Sequence, residues 1–168
     1  MAVSSKEILL NTHSGFPDTK WEALSAKASF DLKLIEVIIT PETSQETLET
    51  TVAFYKKIGK ETVVSKDAQG FITSRAISAL IAECMRIYEE GIASIEDIDK
   101  AMRLGFNHPI GPFQFIDMSG LDVVYYAWEG LTQVYGDRFK PGQKMAELVD
   151  TGNLGQKTGK GFYHYGSK

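Results

Sequence analysis

Apolar residues recur at helical spacing over most of the chain after residue 43. Such spacing predicts amphipathic helices, and glycine or proline marks where each helix ends. On this basis we expect helices over 43–59, 70–91, 94–105 and 121–135, followed by a shorter helix that closes at Gly152. The segment 70–91 carries apolar residues on more than one face, so we expect it to be the central helix of the core.

Two of these helices begin with a capping signature. Thr43 is followed three residues later by Glu46, and Ser94 is followed three residues later by Asp97. A side-chain oxygen at the first position of this pattern accepts a hydrogen bond from a backbone N–H of the first helical turn. We therefore expect capped helix starts at Thr43 and at Ser94.

A corner rich in glycine and proline, residues 105–122, separates the third and fourth of the long helices. Pro109 and Pro112 each fix φ and remove a backbone donor, whereas Gly120 can adopt a positive φ. The chain should therefore turn here, start a short helix and end it again. The corner carries more apolar side chains than a solvent loop, which predicts that it packs between helices.

One stretch before the helices, residues 32–40, is rich in β-branched residues and is bounded by Pro41, which predicts a β-strand. A lone strand leaves its backbone groups unpaired, so we expect it to pair with residues 1–31, with a second copy of the chain, or with a missing segment. Residues 61–66 are interpreted as a short extended connection. Residues 1–31 lack a sustained period and are interpreted as a poorly patterned arm.

The predicted fold class is therefore mainly α, a helical bundle with a short N-terminal strand and arm, divided into residues 1–31 and residues 32–168. With 168 residues and 43% hydrophobic content, the chain can bury a real core. The net charge is −4 and basic residues are mixed with acidic ones, which argues against nucleic-acid binding. No apolar run has the length needed to cross a membrane.

The single cysteine, Cys84, cannot form an internal disulfide. This cysteine usage favours a reducing compartment, the cytoplasm or, in a eukaryote, the mitochondrial matrix. Because Cys84 lies in the middle of the predicted central helix, we expect it to be a small core residue.

Glu36 is the first candidate for chemistry, because a carboxylate interrupts an apolar strand. Its side chain either faces water or is retained for a partner such as a histidine. Ser74 and Arg75 are a second candidate, because a hydroxyl and a guanidinium near the start of the long helix can reach a substrate. The alternative for this second pair is a solvated first turn.

Metal and nucleotide sites are not predicted. None of the three histidines forms a pair at metal-ligand spacing: His13, His108 and His164. The glycine- and lysine-rich tail resembles a phosphate loop, but Gly161 stands after Lys160 where such a loop requires Ser or Thr. A glycine-rich dinucleotide fingerprint is absent from the sequence. No residue is therefore assigned to cofactor binding.

Six segments together resemble one enzyme family. They are KLIEVI (33–38), ETSQET (42–47), KKIGKETVVSKDAQGFITSR (56–75), EEGIASIEDIDKAM (89–102), HPIGPFQFIDMSGLD (108–122) and KTGKGFY (157–163). These segments occur in the same order as in the C-terminal domain of NAD-dependent 3-hydroxyacyl-CoA dehydrogenases. The chain resembles that domain over about four-fifths of its length. The resemblance implies a helical domain that follows a Rossmann domain, forms the homodimer and closes one side of the acyl-CoA site.

The resemblance also implies site residues. In this family a histidine, paired with a glutamate twelve residues later, takes the proton from the 3-hydroxyl while hydride passes to NAD. Glu36 matches that glutamate, but Leu24 stands twelve residues before it, and residues 24–28 replace the family motif around the histidine. Ser74 stands where the family has a second asparagine.

The family's glycine-rich NAD domain has no counterpart in the roughly thirty residues before the strand. We expect a C-terminal domain that is inactive alone: a fragment, a rearranged gene product or a designed sequence. NAD is the family's cofactor, but none is expected to bind this chain. The expected partners are a second copy, which can pair through residues 32–39, and an acyl-CoA substrate shared with the absent Rossmann domain.

Two alternatives remain open. One is a stand-alone helical dimerisation or acyl-CoA-binding module without redox activity. The other is a relative that acts on a non-CoA hydroxy acid.

Overall fold

The computed structural model describes residues 33–166. They belong to two compact units, divided after Ser74. The described part contains six α-helices and one pair of short strands, so the predicted mainly α fold class is confirmed. The predicted arm, residues 1–31, lies outside the described residues.

The first unit contains a strand–helix–strand arrangement. Strand β1 is Leu34–Ile39, helix α1 is Gln45–Lys57 and strand β2 is Glu61–Lys66. The strands are parallel, with Leu34 opposite Glu61 and Ile39 opposite Lys66. A parallel pair needs a crossover connection, and α1 supplies it.

The partner of β1 is a correction to the sequence interpretation. Residues 61–66 form strand β2 rather than a connection, and they supply the pairing that was expected from the arm, a second copy or a missing segment. The pairing joins segments on either side of a whole helix. Because the local pattern of each segment carries no information about such a distant partner, the sequence did not reveal it.

The start of α1 lies one residue later than predicted. Ser44 is the N-cap, and its hydroxyl oxygen accepts a hydrogen bond of 3.1 Å from the N–H of Thr47. The Thr43 hydroxyl instead accepts from the N–H of Thr40, at 3.0 Å. The predicted cap at Thr43 is therefore wrong, because that side chain stabilises the turn that leads into the helix.

The second unit is helical and matches the predicted elements closely. The cap at Ser94 is confirmed, since its hydroxyl accepts from the N–H of Asp97 at 3.1 Å. The short helix in the corner and the helix before Gly152 are also present. The helices are α2 (Thr73–Glu89), which begins in the first unit, α3 (Ile95–Gly105), α4 (Pro112–Ser119), α5 (Leu121–Tyr135) and α6 (Gln143–Asp150).

The core of the second unit is built around α2, as predicted. Ile81 and Met85 of α2 are each 1% exposed, and they belong to the same buried cluster as Phe113 of α4 and Trp128 of α5. Cys84 is buried in this cluster, which confirms the prediction of a core residue. The corner helix α4 is thus packed among the other helices rather than exposed as a loop.

Candidate functional site

The carboxylate of Glu36 is buried at the first turn of α2. Its side chain is 7% exposed, and Oε1 accepts hydrogen bonds from the N–H of Ile72 at 3.1 Å and of Thr73 at 2.9 Å. Oε2 accepts from the Thr73 hydroxyl at 3.0 Å. The first N–H groups of a helix have no partner within the helix and carry partial positive charge, so a carboxylate here satisfies them and is stabilised in return.

The backbone just before α2 has an unusual conformation that directs these donors. Gly70 has φ +75° and Phe71 has φ +43°, both in the left-handed region. This region costs an ordinary residue about 1–2 kcal/mol. The N–H of Phe71 donates to the carbonyl of Ala68 at 2.9 Å, which closes the turn. The turn then leads directly into the N–H groups of Ile72 and Thr73 that Glu36 binds.

The two sequence-predicted site residues therefore lie at one helix end. Glu36 binds Thr73, and Ser74 follows Thr73 directly in the first turn of α2, where it is half-buried. The sequence interpretation considered that Glu36 faces water or is retained for a partner such as a histidine. It did not include binding of the carboxylate to the start of α2. The helix end supplies three of its hydrogen bonds from residues 36 and 37 positions away in sequence.

Arg75, the neighbour of Ser74, does not form a merely solvated first turn. It is half-buried, and its guanidinium carbon lies 3.7 Å from the centre of the Tyr135 ring. A cation over an aromatic face is attracted by the negative charge of the π-system. The residue is therefore fixed on a second helix of its own unit.

Two buried carboxylates of the second unit were missed by the sequence analysis. Asp99 is 2% exposed; Oδ1 accepts from the N–H of Phe113 at 2.8 Å, and Oδ2 accepts from the N–H of Gln114 at 3.1 Å and from the Tyr163 hydroxyl at 2.8 Å. Burial raises the pKa of Asp99, although these hydrogen bonds oppose the shift. Asp99 thus caps the N-terminus of α4 and also holds the tail.

Asp117 holds the same tail at a second point. It is 1% exposed and accepts hydrogen bonds of 2.9 Å from the N–H groups of Phe162 and Tyr163 and from the Tyr165 hydroxyl. Burial, followed by the bonds to the carboxylates, raises the pKa of both Tyr163 and Tyr165 far above that of an ordinary tyrosine. The aromatic tail is therefore anchored by the two aspartates, through the backbone of residues 162–163 and the hydroxyls of Tyr163 and Tyr165.

A signal for both aspartates was present in the sequence. Asp99 follows Ile95 by four residues and is followed by Met102 three residues later, and Asp117 follows Phe113 by four. This spacing places each carboxylate on the apolar face of its helix. A buried carboxylate needs hydrogen-bond donors, and glycines with hydroxylated aromatics in the tail could have been recognised as their source.

The described residues offer few donors for a metal or a dinucleotide. No group of three or more His, Cys, Asp and Glu residues that could hold a metal ion occurs within residues 33–166. The turn from β1 to α1, residues 40–44, contains no glycine, and its Glu42 carboxylate would repel a pyrophosphate. One donor of the first turn of α1, the N–H of Thr47, is already used by the Ser44 hydroxyl. These residues therefore do not fit the phosphates of NAD.

The described part of the chain consists of a parallel strand–helix–strand unit and a helical unit. Its central helix, α2, begins beside the buried Glu36. Two family models match these parts: "3-hydroxyacyl-CoA dehydrogenase, C-terminal domain" over residues 70–165, and "3-hydroxyacyl-CoA dehydrogenase, NAD binding domain" over residues 31–68. The chain belongs to the 3-hydroxyacyl-CoA dehydrogenase family, which is NAD-dependent. Residues 32–68, which were predicted to belong to the helical domain, lie within the match to the NAD-binding-domain model.

Characterised relatives support the same assignment. The chain is 45% identical over 136 residues to the mitochondrial hydroxyacyl-coenzyme A dehydrogenase of Sus scrofa, covering 80% of this chain and 43% of that protein. It is 40% identical over 135 residues to the 3-hydroxybutyryl-CoA dehydrogenase of Clostridioides difficile, covering 80% and 48%. The chain thus spans less than half the length of these relatives.

A solved structure shows the same fold. The crystal structure of (S)-3-hydroxybutyryl-CoA dehydrogenase from Ralstonia eutropha superposes with a TM-score of 0.78 at 38% identity. The match covers 82% of this chain and 49% of that one. Among the residues that the structure describes, no helix has the length and apolar character to cross a membrane.

Proposed function

We propose that this chain is the substrate-side and dimerisation part of an NAD-dependent 3-hydroxyacyl-CoA dehydrogenase. The reaction is oxidation of a 3-hydroxyacyl-CoA to a 3-ketoacyl-CoA, in fatty-acid or butanoate metabolism. The observation that carries the proposal is the buried Glu36 carboxylate at the start of α2, at the position of the glutamate that partners the family's catalytic histidine. The names of the relatives support the substrate class.

In this proposal the described residues bind and position, and NAD, when bound to the family's nucleotide domain, supplies the hydride acceptor. Glu36 carries the negative charge that would orient an imidazole and stabilise its protonated form. Residues 33–74 contain no histidine, so the base is not among them. Because the turn at residues 40–44 does not fit a pyrophosphate, no step of hydride transfer is assigned to the described chain.

The experiment is a pair of measurements on the purified 168-residue chain. Isothermal titration calorimetry with acetoacetyl-CoA should show saturable binding, and absorbance at 340 nm should show no oxidation of NADH by the chain alone. Absence of acetoacetyl-CoA binding by folded protein would refute the substrate assignment. Oxidation of NADH that disappears in Glu36→Gln would show that the chain builds a complete dehydrogenase site and is not inactive alone.

A second candidate is a stand-alone dimerisation or acyl-CoA-binding module without redox activity. Its support is that the Glu36 carboxylate accepts three hydrogen bonds from Ile72 and Thr73, which is a structural role at the start of α2. Adding a separately purified NAD-binding domain from the Clostridioides difficile relative separates the candidates. Restored oxidation of NADH with acetoacetyl-CoA supports the dehydrogenase, whereas binding without restored oxidation supports the module.

We also propose a homodimer, located in the cytoplasm or, in a eukaryote, the mitochondrial matrix. Leu104 and Phe106, where α3 meets the corner, are 75% and 73% exposed, which is unusual for large apolar side chains and is typical of an interface. Light scattering at micromolar concentration should give twice the chain mass. The double variant Leu104→Ser with Phe106→Ser should be monomeric, and Lys100→Ser on the same helix should remain dimeric. A monomeric parent chain would refute the proposal.

A further inference from the structure

Two arginine side chains of the second unit face one aromatic ring. The guanidinium carbon of Arg75 lies 3.7 Å from the centre of the Tyr135 ring, and that of Arg138 lies 5.2 Å from the same centre. Because both distances end at one point, the two positive charges are within about 9 Å of each other. The fold thus concentrates cations in a chain whose net charge is −4.

Neither arginine forms an ion pair with a carboxylate of the described residues. The nearby Arg86 is paired with Glu83 at 2.9 Å. Asp137 adjoins Arg138 in sequence but forms no ion pair with it. The attraction of a single ring for a cation is weak compared with full charge neutralisation, so the pair retains a strong attraction for an anion.

Both guanidinium groups are held on rigid elements. Arg75 lies on α2, the central helix of the core. Arg138 lies in a short 3₁₀ turn, Asp137–Phe139, which is anchored by the buried ring of Phe139. The Arg86 guanidinium also donates a hydrogen bond of 3.2 Å to the carbonyl of Arg138. The backbone positions of both arginines are therefore set by the fold before a ligand binds, which favours affinity.

We propose that Arg75 and Arg138 form a binding site for a phosphate-bearing anion, with the Tyr135 ring as the platform that positions both guanidinium groups. A guanidinium presents donors in a planar fork that matches two phosphate oxygens, and two such groups match a multiply charged phosphate. The phosphate can belong to coenzyme A or to a small free phosphate compound. This site goes beyond the proposed function and does not depend on it.

The test is calorimetric titration of the full 168-residue chain with sodium pyrophosphate and, separately, with coenzyme A at low ionic strength. Arg75→Gln and Arg138→Gln should each raise the Kd at least tenfold. Arg103→Gln is the matched control, because this exposed arginine on α3 gives the same change of charge away from Tyr135, and its Kd should stay within twofold of the parent. Arg138→Lys should bind more tightly than Arg138→Gln but less tightly than the parent chain, since an ammonium lacks the planar fork of donors.

The outcomes identify the source of the phosphate. Arginine-dependent binding of pyrophosphate supports a site for small phosphates, and arginine-dependent binding of coenzyme A alone supports a site for its phosphate groups. The proposal is overturned if neither probe binds the folded parent chain, or if Arg103→Gln weakens binding as much as the other variants. If Arg75→Gln does not fold, the exposed Arg138→Gln decides the question.

The same data separate this inference from the proposed function. Binding of pyrophosphate that depends on both arginines, together with no binding of acetoacetyl-CoA, retains the phosphate site and rejects the substrate assignment. Binding of acetoacetyl-CoA that is unchanged in both arginine variants, with no binding of pyrophosphate, retains the substrate assignment and rejects the phosphate site.

Discussion

The carboxylate of Glu36 accepts hydrogen bonds from both the backbone N–H and the hydroxyl of Thr73, at 2.9 and 3.0 Å. Thr73 is the first residue of α2, so this contact joins strand β1 to the start of the longest helix among the described residues. A negative charge at this end of a helix is stabilised by the helix dipole and by the otherwise unpaired N–H groups. The role of Glu36 in the folded chain is therefore established by its contacts, whatever chemistry it also serves.

We predict that Glu36→Gln lowers the free energy of unfolding by about 2 kcal/mol, because hydrogen bonds to a charged acceptor each contribute about 1.5–3 kcal/mol. The glutamine oxygen can still accept from the N–H groups of Ile72 and Thr73, but the charge is lost, and an NH2 group replaces the Oε2 atom that accepts from the Thr73 hydroxyl. Urea unfolding followed by circular dichroism measures the change. Glu61→Gln, an exposed glutamate on β2, is the matched control and should change stability by less than about 0.5 kcal/mol. Equal stability of the two variants would contradict the prediction.

The tail tyrosines should make the chain less stable in alkali. Burial raises the pKa of Tyr163 and Tyr165 above the ordinary value of about 10, so the unfolded chain loses these protons first. The stabilisation is complete below the ordinary pKa and is lost as the pH rises from there towards the folded-state pKa. Tyr163→Phe should reduce this slope of stability with pH above about 10, because one of the two raised pKa values is removed. A slope of stability with pH that is the same in Tyr163→Phe as in the parent chain would contradict this view.

The thiol of Cys84 should be unreactive in the folded chain. Burial, with a smaller contribution from the charge of Asp99, raises its pKa to about 11, and the thiolate is the reactive form. At pH 8, Ellman's reagent should label Cys84 only when urea unfolds the protein. Rapid labelling without denaturant would show that the core around α2 opens readily.

Gly161 should not tolerate a side chain. A Cβ atom at this position would overlap the Oδ1 and Cγ atoms of Asp117, the carboxylate that holds the tail. We expect Gly161→Ala to lower the free energy of unfolding by at least about 2 kcal/mol, because overlap and the loss of buried hydrogen bonds combine. Gly105→Ala is the control, since a Cβ there meets no atom within 4 Å. Equal urea midpoints for the two variants would contradict the expected overlap.

The sequence determined most of the helices of this protein, because the signals that start and stop a helix are local. The segment predicted as 121–135 is α5 (Leu121–Tyr135), ended by Gly136 with φ +82°. The cap at Ser94 and the central position of α2 also follow from neighbouring residues in the chain. The resemblance to the family rested on the same segments, and it was confirmed by the family matches.

The tertiary structure decided what depends on residues far apart in the chain. The pairing of β1 with β2, the burial of Glu36 against Thr73 and the meeting of Arg75 with Arg138 each join segments separated by a helix or more. No local pattern encodes such a partner, because a strand or a charged side chain looks the same in sequence whichever distant group it meets. The candidate sites of this protein are therefore products of its packing, built from helices that the sequence had already specified.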